Sequence, residues 1–508
     1  MRPVQASIKI SKGKIISIEP NDWGVEIISE GKKYKFSDCW AYPGFVYCHG
    51  HIFGLGYQLN GLSFVGTKSP EECIERALKH NTYRGDWLFG RGWNQELWVQ
   101  KVYPNKKLVD EHFKDTPIYF ERVDGHACWV NSTALKIAGI TEYIPNPPGG
   151  QILKDKQGNP TGILIDNAME FVRKHIPKFT YDQIKQNILD ACDELARNGI
   201  TEVHDMDVCS EIIPLYLELE KSNKLKIRIQ SYITAQNDEW LENKIEPIRG
   251  DYYIICGLKF YADGALGSRG AALLEPYSDA NDSSGLLLID EKEFEEKARK
   301  GIESGFHIAI HAIGDAAVRM VLNTYKNLVE KGVADNSSIL RVEHAQIVHP
   351  DDLEIFGKYG IIASVQPIHC ISDAKMAEAR LGERCSYAYQ WKSLLKSGAK
   401  LIAGSDFPIE SHNPLTGIDA FVRRIPFNSN ESWFEKEILS REEAIKAYTT
   451  TPHFITGNQD IIGKIKVGFD ADIAILSQNL YDCKEEDILN TNFIATFCNG
   501  KPSYLTQK

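Results

Sequence analysis

Through residues 253–404, short apolar runs alternate with longer stretches whose apolar positions recur every three or four residues. The runs Tyr253–Cys256, Leu258–Ala262, His307–Ile310, Ile339–Glu343, Ile361–Gln366 and Lys400–Gly404 read as strands. The stretches Glu291–Glu303, Asp315–Lys331 and Pro350–Lys358 read as helices. Apolar strands separated by helices imply a parallel sheet with helices packed outside it. The pattern predicts an α/β fold, with a (β/α)8 TIM barrel as first choice and an open doubly wound sheet as the alternative. No G-x-G-x-x-G follows the early strands, which counts against a dinucleotide-binding sheet.

The two ends of the chain follow a different pattern. Ser7 to Ile18 alternates apolar and polar residues, with turns at Ser11-Lys12-Gly13 and Gly31-Lys32, while Asp472–Leu476 and Phe493–Cys498 are short apolar runs bounded by Gly or Asn. These ends predict one small β-sandwich domain built from residues 1–42 and 456–508. The barrel is expected over residues 43–60 and 198–455. Between them, residues 61–197 lose the regular alternation and carry Trp87, Trp93, Trp98, Trp129 and the Pro145–Gly150 turn cluster. They read as an insertion after the first barrel strand that caps the active-site face. The tryptophans fit either a buried core or the lining of an apolar pocket, the core being the commoner outcome.

Composition narrows the function classes. Hydrophobic residues make up 43% of the 508 and charged residues 25%, as in a folded globular chain, and the net charge of −11 argues against a nucleic-acid surface. No stretch approaches the roughly 18 uncharged apolar residues needed to span a bilayer. The N-terminal Lys9, Lys12 and Lys14 interrupt any signal-peptide core. Eleven cysteines are scattered without a C-x-x-C pair, which reads as free thiols in a reducing compartment, so a cytoplasmic location is expected.

The candidate chemistry sits at strand ends. His49 and His51 follow Tyr42–Val46, and side chains two apart on a strand share a face, so both imidazoles can grip one metal ion. A turn carrying two surface histidines is the plainer reading of that pair alone. His311 follows His307–Ile310, His344 follows Ile339–Val342, and Asp406 follows Leu401–Ser405. Each closes an apolar strand, where a barrel presents functional groups at its C-terminal rim. Lys259 lies inside the apolar run 258–262. It either snorkels at the strand end or reacts with CO2 to form a carbamate, an anion able to bridge two cations.

These motifs together resemble the amidohydrolase superfamily, and within it the YtcJ-like branch that includes N-substituted formamide deformylases. The matching segments are Pro43-Gly44-Phe45 leading to His49-Gly50-His51, Asp124-Gly125-His126, Val203–Met206, Leu258–Gly267, His311–Asp315, Glu343–Gln346, Gln366-Pro367, Gly404–Pro408 and Gly463–Gly468. They run in order through nearly the whole chain. One departure stands out: the family places an acid two residues before the first histidine, and this chain has Tyr47. That replacement bears on how the histidines are oriented from behind.

The resemblance implies a metal-dependent hydrolase that cleaves an amide-type C–N bond, such as that of an N-acyl or N-formyl amine, by attack of a metal-activated hydroxide. His49, His51, Lys259 as carbamate, His311, His344 and Asp406 would surround one or two divalent ions, expected to be zinc. Asp406 would orient the attacking water, take its proton and pass it to the leaving nitrogen. Asp124 and His126 would face the substrate, the alternative being that Asp124-Gly125 simply makes a turn capped by His126. Apart from the resemblance, Arg269 fits either a substrate carboxylate or a surface ion pair, the pair being the commoner outcome for a single arginine. The expected partner is a small molecule, with neither nucleic acid nor membrane, in a chain that pairs as a homodimer. The competing readings are a single-metal deaminase of a heteroaromatic amine and a noncatalytic metal- or ligand-binding regulator on the same fold.

Overall fold

The computed structural model describes residues 3–80, 83–123, 125–335 and 337–506. The chain forms two compact units, one of residues 1–52 with 189–508 and the other of residues 53–188.

The larger unit holds eight parallel strands in one sheet: β1 (Phe45–Gly50), β2 (Ile200–Val208), β3 (Arg228–Thr234), β4 (Tyr253–Tyr261), β5 (His307–Ala312), β6 (Leu340–His344), β7 (Ile362–Val365) and β8 (Lys400–Ala403). Each strand pairs with its neighbour in chain order. Backbone bonds join the first to the last: the His51 N–H donates to the Phe407 carbonyl at 2.8 Å, and the Asp406 N–H to the His49 carbonyl at 3.0 Å. The sheet is therefore a TIM-like barrel, as the strand–helix alternation predicts.

The separate runs 253–256 and 258–262 form the single strand β4. The expected helix 350–358 opens as a tight turn, Pro350–Asp352, before the α-helix Leu353–Tyr359, which ends at left-handed Gly360. Helix Glu291–Glu303 starts at Asp290, whose side chain accepts from the Glu293 N–H at 2.8 Å.

The run 42–46 divides between two sheets. Trp40–Pro43 pairs with Ile473–Leu476 near the C-terminus, and β1 starts at Phe45. Gly44 makes the crossing, where an added Cβ would lie 2.2 Å from Thr201 Oγ1. The pair 40–43 and 473–476 belongs to a four-stranded sheet completed by Phe493–Cys498 and Lys501–Leu505. A second four-stranded sheet is formed by Ala6–Ser11, Lys14–Pro20, Gly24–Ser29 and Lys32–Ser37. Ile8, Ile27, Ile473, Ile475 and Phe497 from the two sheets share one hydrophobic core.

The unit of residues 53–188 is built on a six-stranded sheet. Alternation along its strands feeds two cores. Ile118, Phe120 and Trp129 join Trp93 and Trp98 in one cluster, and Tyr119, Cys128 and Val130 join Trp87 in the other. The tryptophans are core residues. Among the described residues no helix is long and apolar enough to cross a membrane.

Candidate metal centre

The rim formed by the C-terminal ends of the barrel strands gathers most of the predicted ligands. Ligand atoms of His49, His344 and Asp406 all lie within 4.8 Å of one another. Asp406 Oδ1 is 2.9 Å from His51 Nε2 and 3.4 Å from His49 Nε2. The His311 and His344 rings are 4.5 Å apart, and those of His49 and His344 5.0 Å. His344 and Asp406 adopt left-handed backbone angles, with φ of 71° and 59°. Such conformations are costly for residues with a Cβ and collect where a site must aim a side chain.

The donor set fits a cation. His344 Nδ1 is buried without a hydrogen-bond partner among the described residues, an arrangement buried nitrogens ordinarily avoid, and His311 Nε2 makes no hydrogen bond of good geometry, with Asp263 Oδ1 3.5 Å away. Burial, reinforced by the charge of Lys259, pushes His311 down to about 3. Burial and the neighbouring His311 push His344 well below the usual histidine range. Both imidazoles are thus neutral near pH 7, the form that donates a lone pair to a metal. Burial opposes ionisation of Asp406, but His49 and His51 outweigh it and hold the carboxyl well below the ordinary range.

Lys259 is sealed in the barrel beside this cluster. Its Nζ lies 3.5 Å from Asp207 Oδ2 and 3.9 Å from the centre of the Tyr261 ring. The Tyr261 hydroxyl donates to the same Asp207 carboxylate.

Behind the ligands runs a buried charge network. His49 Nδ1 contacts Glu343 Oε2 at 2.6 Å, and Arg341 Nε meets Glu343 Oε1 at 2.8 Å. Arg341 also donates to His204 Nδ1 at 2.8 Å, to the Cys48 carbonyl at 2.6 Å and to Ser364 Oγ at 3.1 Å. His204 is therefore tied to His49 through two intervening side chains. Tyr47 packs against Phe407 and Tyr448, and its hydroxyl donates to the Ser411 carbonyl. The carboxylate behind His49 comes from β6, not from position 47.

The remaining predicted residues lie elsewhere. Asp124 falls outside the described residues. His126 belongs to the unit of residues 53–188, where it is exposed and bonds to Asp166 at 2.8 Å. Arg269 is engaged by Asp279 through bonds of 3.1 and 2.9 Å, and Arg380 contacts the same carboxylate.

Sequence reasoning assigned no role to Arg341, Glu343, Asp207, Asp263 or His369. The alternation Leu340-Arg341-Val342-Glu343, two charges on one face of an apolar strand, signals the first two. Asp207 has no such signal. Between Asp205 and Val208 the register of β2 against β3 slips by one residue, and this bulge, with Asp207 at φ 56°, re-aims the side chain towards Lys259. Asp263 accepts three backbone N–H bonds, from Ala272, Ile313 and Gly314, and approaches His311 Nε2 at 3.5 Å. His369 stacks nearly parallel on His344, with ring centres 6.1 Å apart.

A family model described as "Amidohydrolase family" matches residues 37–504. The putative amidohydrolase YtcJ of Bacillus subtilis (strain 168) is 32% identical, over 94% of this chain and 91% of the relative. The N-substituted formamide deformylase of Arthrobacter pascens is 22% identical, over 91% of this chain and 88% of the relative. Among solved structures, an uncharacterized metal-dependent hydrolase from Pyrococcus horikoshii OT3 superposes with a TM-score of 0.78 at 27% identity, covering 95% of this chain and 98% of that one.

Proposed function

The chain belongs to the amidohydrolase family, and from that membership we propose that it is a divalent-metal-dependent hydrolase of an amide-type C–N bond, acting on a small N-acyl or N-formyl amine. The observation that carries this reading is the convergence of His49, His344 and Asp406 at the C-terminal rim of the barrel.

His49, His51, His311, His344, Asp406 and Lys259 as its carbamate would hold one or two ions. A donor set of imidazoles and carboxylates suits zinc. When bound, the ions supply Lewis-acid polarisation of the scissile carbonyl and acidify a water molecule.

The chain's own groups supply the rest. Asp406, kept ionised by its two histidine neighbours, accepts a proton from the attacking water. A C–O bond forms, the C–N bond breaks, and Asp406 hands the proton to the departing nitrogen, leaving a carboxylic acid and an amine. Lys259 loses its ammonium proton, and Nζ then adds to CO2 with release of a second proton, which turns a sealed cation into an anion beside the ligand cluster. Its burial, at 1% exposure, supports that reading, since an ammonium there bears a heavy desolvation cost.

The test is metal analysis of the purified chain, followed by assay against a panel of N-formyl and N-acyl amines before and after chelation. Stoichiometric metal and chelator-sensitive release of amine are expected. Absence of bound metal, or release of ammonia from heteroaromatic amines in place of amide hydrolysis, overturns the proposal.

A further inference from the structure

Away from the barrel, the unit of residues 53–188 contains a cavity of about 230 Å³ lined by Tyr57, Arg84, Phe89, Phe179, Gln183 and Asn187 among others. The Arg84 guanidinium carbon lies 3.9 Å from the centre of the Phe179 ring, 4.2 Å from Phe89 and 4.7 Å from Tyr57. The rings hold one another as well: Tyr57 meets Phe179 edge-on at 5.2 Å and Phe89 at 5.8 Å. The polar part of the wall is also fixed, with Gln183 Nε2 donating to the Tyr83 carbonyl and Asn60 Nδ2 to Asn187 Oδ1, each at 3.0 Å.

Like Arg424, Arg84 lies against aromatic rings. Among the described residues no carboxylate pairs with it, and its Nε is buried without an acceptor. Aromatic faces stabilise a guanidinium above and below its plane, and Tyr57 adds a side-chain hydrogen bond, but Nε is left unmet and no opposite charge is supplied. A carboxylate supplies the missing in-plane acceptors and the opposite charge. The cavity is smaller than the roughly 300–1,000 Å³ of drug-sized sites, so its ligand is small. An aromatic wall beside the cation selects a planar apolar substituent on that carboxylate.

We propose that the unit of residues 53–188 carries a binding site for a small aromatic carboxylate, with Arg84 as its anchor. The site is independent of the metal centre and of the reaction assigned to it.

The test uses the full chain and 4-fluorobenzoate, observed by fluorine NMR, with and without chelation. Saturable binding is expected in both metal-loaded and chelated protein, displaced by benzoate and weakened more than about tenfold in Arg84→Gln, the scale of a lost charge-assisted bond. The neutral ring 4-fluorobenzyl alcohol, tested on the unaltered protein, is expected not to compete. This arm decides the matter even if Arg84→Gln fails to fold. Absence of saturable binding, equal binding of the alcohol, full affinity in a folded Arg84→Gln, or loss of binding on chelation each overturns the site. The last outcome would place the carboxylate at the metal centre instead.

Discussion

The Nδ1 of His49 and the Oε2 of Glu343 lie 2.6 Å apart with both side chains sealed from solvent, and Arg341 grips the other oxygen of the same carboxylate. The pair fixes the orientation of the His49 ring, with Nε2 turned to Asp406. A carboxylate behind a metal-ligating imidazole orients it and raises its basicity. Glu343→Gln keeps the shape and an acceptor oxygen but removes the charge. Metal affinity, measured by competition with a chromophoric chelator, is expected to fall about 10- to 100-fold. Thermal stability is expected to fall too, because Arg341 is left as an uncompensated buried charge. The titration therefore belongs at a temperature where both proteins are folded. Unchanged metal affinity in the folded variant removes Glu343 from the support of the site.

Lys259 separates the two-ion reading from the one-ion reading. His49, His344 and Asp406 converge without it, so Lys259→Ala is expected to retain one ion and lose the second. Amide hydrolysis should drop sharply while the protein stays folded, since alanine also removes the need to bury the amine. Metal stoichiometry by elemental analysis, with turnover measured alongside, checks this. Unaltered stoichiometry and turnover together would exclude a bridging carbamate.

What could be read in advance, and what could not, follows from the reach of periodicity. The barrel was legible because an apolar strand and the polar residue closing it are contiguous in sequence, as in Ile308-Ala309-Ile310-His311. The Glu343–His49 contact joins residues 294 positions apart, and nothing in the composition of either strand states that they face each other. The Tyr47 substitution pointed to a missing carboxylate but not to its replacement on β6. Asp207 was hidden more deeply, because the bulge that turns it towards Lys259 breaks the two-residue alternation on which strand reading depends. Arg269 shows the converse case: an arginine two residues beyond a matching motif, already held by a local aspartate.

Two buried carboxylates set the acid limit of the fold. Burial resists ionisation of Glu202 and Glu343. Even so, His453 and His204 hold Glu202 at about 2, and Arg341 with His49 holds Glu343 at about 2, against an ordinary value of 4.5. The folded-state values lie below the unfolded ones, so the stabilisation is complete above about pH 4.5 and is lost as pH falls towards about 2. Denaturant unfolding of the chelated protein at about pH 7, 4.5 and 3 is expected to show a loss between 7 and 4.5, where the unfolded chain protonates its histidines while buried His311 and His344 stay neutral, and a steeper one below 4.5, where the two carboxylates add to it. Glu202→Gln should flatten that slope. Stability equally steep in the variant would assign the acid sensitivity to other groups.

The seam of the barrel depends on a residue with no side chain. Gly404 follows β8 directly, and a Cβ there would sit 2.6 Å from both the backbone nitrogen and the carbonyl oxygen of His49. The colliding atoms are main chain, so rotamer changes cannot relieve the clash. The Asp406 N–H to His49 carbonyl bond, which holds β1 against the loop after β8, spans the same gap. Gly404→Ala must therefore push the two strand ends apart. The expected cost is about 1–3 kcal/mol of stability, the usual range for overpacking. Displacement of His49 from Asp406 should also weaken metal binding in whatever fraction remains folded. Both effects are expected together, in denaturant unfolding and in chelator competition. A variant with full metal affinity and stability would mean that the seam closes without this close approach.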